Sequence, residues 1–307
     1  MALYSCYNPF DASVQDYPGY LNQVKQLGFN GVYFDLADKR LDDIGTEGRV
    51  QLKDLYERIR ARGLETGLML RCYHNKDLYR NEFFTAPISR QGVSYTPRDD
   101  YFPICLNNPI GQKLLNNTIN EYLTEFNPDL VYLEHVQFPF NWAIEDLDIQ
   151  DKIPQFCYCP FCITEFSSVV GEIITNSEQI DELMPEWLEW RAEVVLDLLR
   201  RIKPAINSSI QLTIALPPLA IIDLSFSTGL LPHSLIEGGV NISPQLLHLQ
   251  TSKKLIWIED LLDQYQIDLN TRKIFPMFEF SNQNEFHYLR QFESQFGGLV
   301  MRTHGTI

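Results

Sequence analysis

The residues best suited to chemistry in this chain are three cysteines crowded into six positions and two glutamates near the ends of apolar runs. Cys157, Cys159 and Cys162 are spaced C-x-C-x-x-C. A four-coordinate zinc needs its sulfurs to converge about 2.3 Å from one point, and a tight loop supplying three thiolates needs only one further ligand. Cys105 is the candidate for that place, and a closed set of four would make the metal structural. The competing use is as reduced thiols packed like small apolar side chains. Cys6 and Cys72, inside apolar runs, read that way.

Glu134 closes the run DLVYLE, and Glu279 lies near the end of KIFPMFEF. Two facing carboxyl groups could cleave a glycosidic bond, one protonating the leaving oxygen and the other attacking the anomeric carbon or activating water. A gap of about 5 to 5.5 Å implies retention, and one of about 6.5 to 9.5 Å inversion. Either glutamate could instead form a structural ion pair with Arg71 or Arg302. Asp35 ends a third such run and could bind a sugar hydroxyl or hold an arginine. Arg71 and His74 follow a fourth run, His135 follows Glu134, Arg302 ends the last run, GLVMR, and His304 follows it. All are candidate substrate contacts, although a lone histidine is more often a satisfied structural group. Trp142, with Phe138 and Phe140, could stack on a sugar face or pack beneath the cysteine loop. Trp187 and Trp190, three apart on a helix, read as packing.

These side chains must be carried by elements that bring them together. Apolar, β-rich runs at residues 3–7, 30–36, 64–71, 129–136, 210–216, 239–247, 273–280 and 298–302 read as strands. Between them lie segments of helical rhythm at 15–27, 50–62, 109–126, 185–203, 254–265 and 284–296, with Pro109 placed where proline favours a helix start. Residues 72–108 read as a long loop, and loops of that length are usually functional. Eight strands alternating with helices predict an α/β fold, a (β/α)8 TIM barrel forming one domain over residues 1–307. A cysteine-rich loop at 137–168 would follow strand four. The sequence stops at Ile307, so the last helix is expected to be missing. In such a barrel, catalytic groups stand at the carboxyl ends of strands.

Charge narrows the partners. Lys and Arg number 25 against 40 Asp and Glu, a net charge of −15, which argues against nucleic acid and anionic membranes. Aromatic residues, at 12%, suit ring-lined pockets for carbohydrate. No run reaches the roughly 20 apolar residues of a membrane span, and no basic-then-apolar leader opens the chain, so a cytoplasmic location is expected. A homo-oligomer is compatible with the composition. No phosphate loop, G-x-G-x-x-G or G-x-S-x-G occurs.

Three segments, PICLNNPIGQKLL around Cys105, PDLVYLEHVQFP and FCYCPFCITEF, resemble the barrel domain of glycoside hydrolases. The cysteine pattern is similar to that of family 42 β-galactosidases, where one upstream cysteine and a C-x-C-x-x-C hold a structural zinc. The resemblance implies hydrolysis of an oligo- or polysaccharide, with Glu134 as acid/base and Glu279 as nucleophile. One departure is clear: retaining enzymes of that clan usually carry Asn-Glu at the end of the fourth strand, whereas Leu133 precedes Glu134 here. Two alternatives follow: a non-catalytic carbohydrate-binding barrel, or a metal-dependent hydrolase whose histidines hold a catalytic ion.

Overall fold

Eight short runs of β-branched, aromatic and leucine residues form the strands of the computed structural model, which describes residues 2–10, 17–36, 39, 41–81, 86–97, 101–140 and 156–303. They are β1 (Ala2–Tyr7), β2 (Gly31–Asp35), β3 (Glu65–Arg71), β4 (Leu130–Glu134), β5 (Gln211–Leu216), β6 (Asn241–Leu246), β7 (Met277–Phe280) and β8 (Gly298–Thr303). They pair in chain order as a closed barrel, and every pairing is parallel, with β8 returning to β1. The expected (β/α)8 fold is present.

Because successive side chains of a strand alternate faces, each strand serves two cores. Outward residues such as Leu3, Phe34, Leu68, Val131, Leu133, Ile214 and Phe278 pack against the helices. Inward residues Tyr4, Cys6, Tyr33, Met69, Leu130, Tyr132, Met277 and Val300 fill the barrel in a separate cluster. The period of two then dictates the next inward positions, toward the carboxyl ends. They are Asp35 after Tyr33, Arg71 after Met69, Glu134 after Tyr132, Glu279 after Met277 and Arg302 after Val300. A polar layer thus caps an apolar one.

The helices follow local signals. Asn108 caps Pro109–Phe126 by accepting from the Ile110 and Gly111 N–H groups, with proline in the first turn. The helix Met184–Ile202 buries Trp187, Trp190, Val194, Val195, Leu198, Leu199 and Ile202 on one stripe, and Trp187 and Trp190 stack at 4.6 Å, as packing residues would. Three expectations need correction. Helical structure after β2 starts at Leu41 rather than Val50, and Gly45 (φ 68°, ψ 174°) divides it into two helices across a kink. Strand seven starts at Met277 rather than Lys273, because Pro276 has no N–H to give the ladder. The long segment after β3 contains a short helix, Lys76–Asn81. No helix among the described residues is long and apolar enough to cross a membrane.

Candidate active site and thiolate cluster

The polar layer at the carboxyl end of the barrel is built around Glu134. Arg71, its lateral neighbour on β3, brings Nε to 3.5 Å from Glu134 Oε2. Arg302 brings Nη2 to 3.7 Å from Glu134 Oε1 and 3.2 Å from Asp35 Oδ2. The Gln245 amide on β6 donates to Glu134 Oε1 at 2.6 Å. Glu134 is 4% exposed and Glu279 fully buried. Glu279 lies level with Arg302 in the β7–β8 register and accepts from the Gln250 backbone N–H at 2.7 Å. Burial works against the charged Arg302, but Cys6, Asp35 and Glu134 more than offset it and hold its pKa above the ordinary value.

Asp35 holds an arginine, Arg302, through its Oδ2. Glu134 likewise has the ion-pair partners named as its other reading. His74 and His135 stack with ring centroids 5.5 Å apart, and Tyr101 lies 5.7 Å from the first and 5.2 Å from the second. His135 adopts φ 58°, a left-handed conformation that is uncommon outside glycine. Burial lowers its pKa well below the usual imidazole value, with His74 and Arg71 adding to the effect. Phe138 and Phe140 are buried, and Phe138 packs against Trp190, so both serve packing. Trp142 and His304 lie outside the described residues.

The cysteines converge. One sulfur from each of Cys105, Cys157, Cys159 and Cys162 lies within 4.8 Å of the others, and all four residues are buried. Cys105 Sγ is 3.3 Å from Cys159 Sγ and 3.4 Å from Cys162 Sγ. A tetrahedral zinc with bonds of about 2.3 Å separates its sulfurs by about 3.8 Å, so the donor set fits with slight expansion. Two donors already face it, the Ile88 N–H at 3.4 Å from Cys157 Sγ and the Asn107 amide at 3.7 Å from Cys162 Sγ. Hydrogen bonds from Cys105, Cys157 and Cys162 pull Cys159 far down, whereas Cys105 is pushed up by its bonds to Cys157 and Cys159, and Cys162 by burial. Cys6 and Cys72 are buried in the apolar cores. Among the described residues, this is the one such group of three or more His, Cys, Asp or Glu side chains, and no histidine belongs to it.

Sequence reasoning missed Gln245, Tyr101, Asn107 and Ile88. A signal for Gln245 existed, since Asn241, Ser243 and Gln245 alternate as polar residues in one strand and must share a face.

No protein-family model and no curated protein matches the sequence. Solved structures do match in fold. The glycoside hydrolase domain of PgaB (BpsB) from Bordetella bronchiseptica has a TM-score of 0.68 at 9% identity, covering 99% of this chain and 93% of that one. The catalytic domain of a β-amylase from Paenibacillus polymyxa has a TM-score of 0.61 at 10% identity, over 97% and 91%. A GH42 β-galactosidase from G. stearothermophilus has a TM-score of 0.63 at 10% identity, and there the chain spans half of the partner's length. By architecture, then, the chain is similar to the (β/α)8 barrels of glycoside hydrolases.

Proposed function

We propose that this chain is a glycoside hydrolase whose working carboxylates are Glu134 and Glu279. The observation that carries the reading is positional: both acids take inward-facing places at the carboxyl ends of strands in a closed barrel, where barrel enzymes keep their reacting groups. Two carboxyl groups are what glycosidic cleavage requires, and the solved neighbours named above support that chemistry. In a retaining mechanism Glu134 is the acid/base and Glu279 the nucleophile. Asp35, Arg71, His74, His135 and Arg302, with His304 and Trp142, make up the substrate surface for an oligo- or polysaccharide. Residues 1–307 act as one catalytic unit. The four cysteines hold a structural zinc that pins segment 137–168 to the loop carrying Cys105. None of the six cysteines is joined in a disulfide, which suits a reducing compartment and a cytoplasmic enzyme.

One observation favours a second reading. Glu134 is already engaged by Arg71, Arg302 and Gln245, as a carboxylate that only shapes a carbohydrate-binding barrel would be. A panel of chromogenic glycosides, run beside a glycan-binding array, separates the two. Turnover of at least one glycoside is expected. Binding without turnover of any substrate in the panel would replace the hydrolase with the binding barrel.

A further inference from the structure

Along the inward stripe of the helix Met184–Ile202 every large member is apolar except one. Arg191 is fully buried within it. A buried cation lacking an anionic partner is strongly destabilising, and Arg191 has no carboxylate within ion-pair distance among the described residues. Nη1 donates to the Phe156 carbonyl, and Nη2 donates to the Ser227 carbonyl at 3.0 Å. The guanidinium lies over the Phe138 ring at 4.1 Å, and Nε has no hydrogen-bond partner. Three neutral contacts do not compensate a charge. Burial pulls its pKa down to about 10, opposed by Tyr158, Cys162 and Cys157. Phe156, which it grips, directly precedes Cys157.

We propose that Arg191 is the counter-charge of the thiolate cluster: its guanidinium offsets the excess negative charge that four thiolates leave around a divalent cation, and its grip on Phe156 sets where Cys157 enters the cluster. The excess negative charge of the metal-bound thiolates balances Arg191 as much as Arg191 balances the cluster. Arg191 is thus a positioning residue for the metal and not a catalytic one. The proposal rests on the zinc reading above.

The test uses zinc-loaded and chelator-stripped protein as wild type, Arg191→Lys and Arg191→Met, with zinc affinity read by chelator competition and stability by thermal melting. Arg191→Met is expected to lower zinc affinity at least about tenfold, the usual cost of losing a group that supports metal ligands. It should also narrow the gap in melting temperature between loaded and stripped protein, because the stripped form sheds an uncompensated charge. Arg191→Lys, which keeps the charge, should hold both the affinity and the gap near wild type. If Arg191→Met is not recovered folded, Arg191→Gln takes its place with the same expectation. Equal loss in the charged and neutral variants, or wild-type affinity in the neutral one, would overturn the counter-charge role alone. A wild type that takes up no zinc would overturn the metal reading with it.

Discussion

Replacing Cys105 with alanine isolates the link that ties two distant parts of the chain. Cys105 lies 54 residues before Cys159 and 57 before Cys162, whereas the other three cysteines share a short stretch. Zinc held by all four closes a long loop, while zinc held by three of them closes none. By the chain-entropy relation, a cross-link over about 54 residues removes about 14 cal/mol/K from the unfolded state, or about 4 kcal/mol at 25 °C. Cys105 is fully buried, so losing its sulfur also costs packing of about 1 kcal/mol, with or without metal. Urea unfolding of wild type and Cys105→Ala, each zinc-loaded and chelator-stripped, gives the two differences. The substitution should cost about 5 kcal/mol with zinc and about 1 kcal/mol without. A cost that is the same in both states would refute the idea that the cluster works as a cross-link.

Further expectations concern the polar layer. His135 has a folded-state pKa below its unfolded value, so above pH about 6.5 neither state is charged and the group contributes nothing. As pH falls below that point the unfolded chain binds the proton first, and stability should drop by up to about 1.4 kcal/mol per pH unit until the folded pKa is reached. His135→Asn, which tolerates the same φ, should flatten this slope in urea titrations at pH 5 and pH 7.5, and an unchanged slope would assign it to other groups. Gln245→Leu removes the 2.6 Å donor to Glu134 and should cost about 1.5 to 3 kcal/mol, as for a hydrogen bond to a charged group. A loss below about 0.5 kcal/mol in the same assay would mean that water replaces the amide.

The barrel was legible because its signals are local. Each strand is an apolar run, and in a parallel barrel both strand faces are buried, so the runs stand out against the amphipathic helices. The start of Pro109–Phe126 was fixed by Asn108 and Pro109. Ile221–Thr228 and Pro232–Glu237 went unread because each is too short for a helical period to show. Gly45 and Gly48 hid the helical turns that precede Val50. At the site, Glu134, Arg71, Asp35 and Arg302 could be picked out as strand-end residues. What no single run could show was that Arg302 reaches both Asp35 and Glu134, since those contacts cross the barrel interior and depend on register. The convergence of Cys105 with the C-x-C-x-x-C was anticipated because the two loops follow adjacent strands. Arg191 gave the opposite signal, a charged residue that a stripe of apolar neighbours nonetheless carries inward.

The chemistry assigned to the mouth of the barrel stands or falls on the turnover numbers of wild type, Glu134→Gln and Glu279→Gln, measured on a glycoside with a poor leaving group that the wild type cleaves. Each substitution is expected to lower kcat by about a hundredfold to ten-thousandfold while leaving the protein folded and the thiolate cluster intact. Wild-type kcat in either folded variant would contradict the assignment of those two carboxylates.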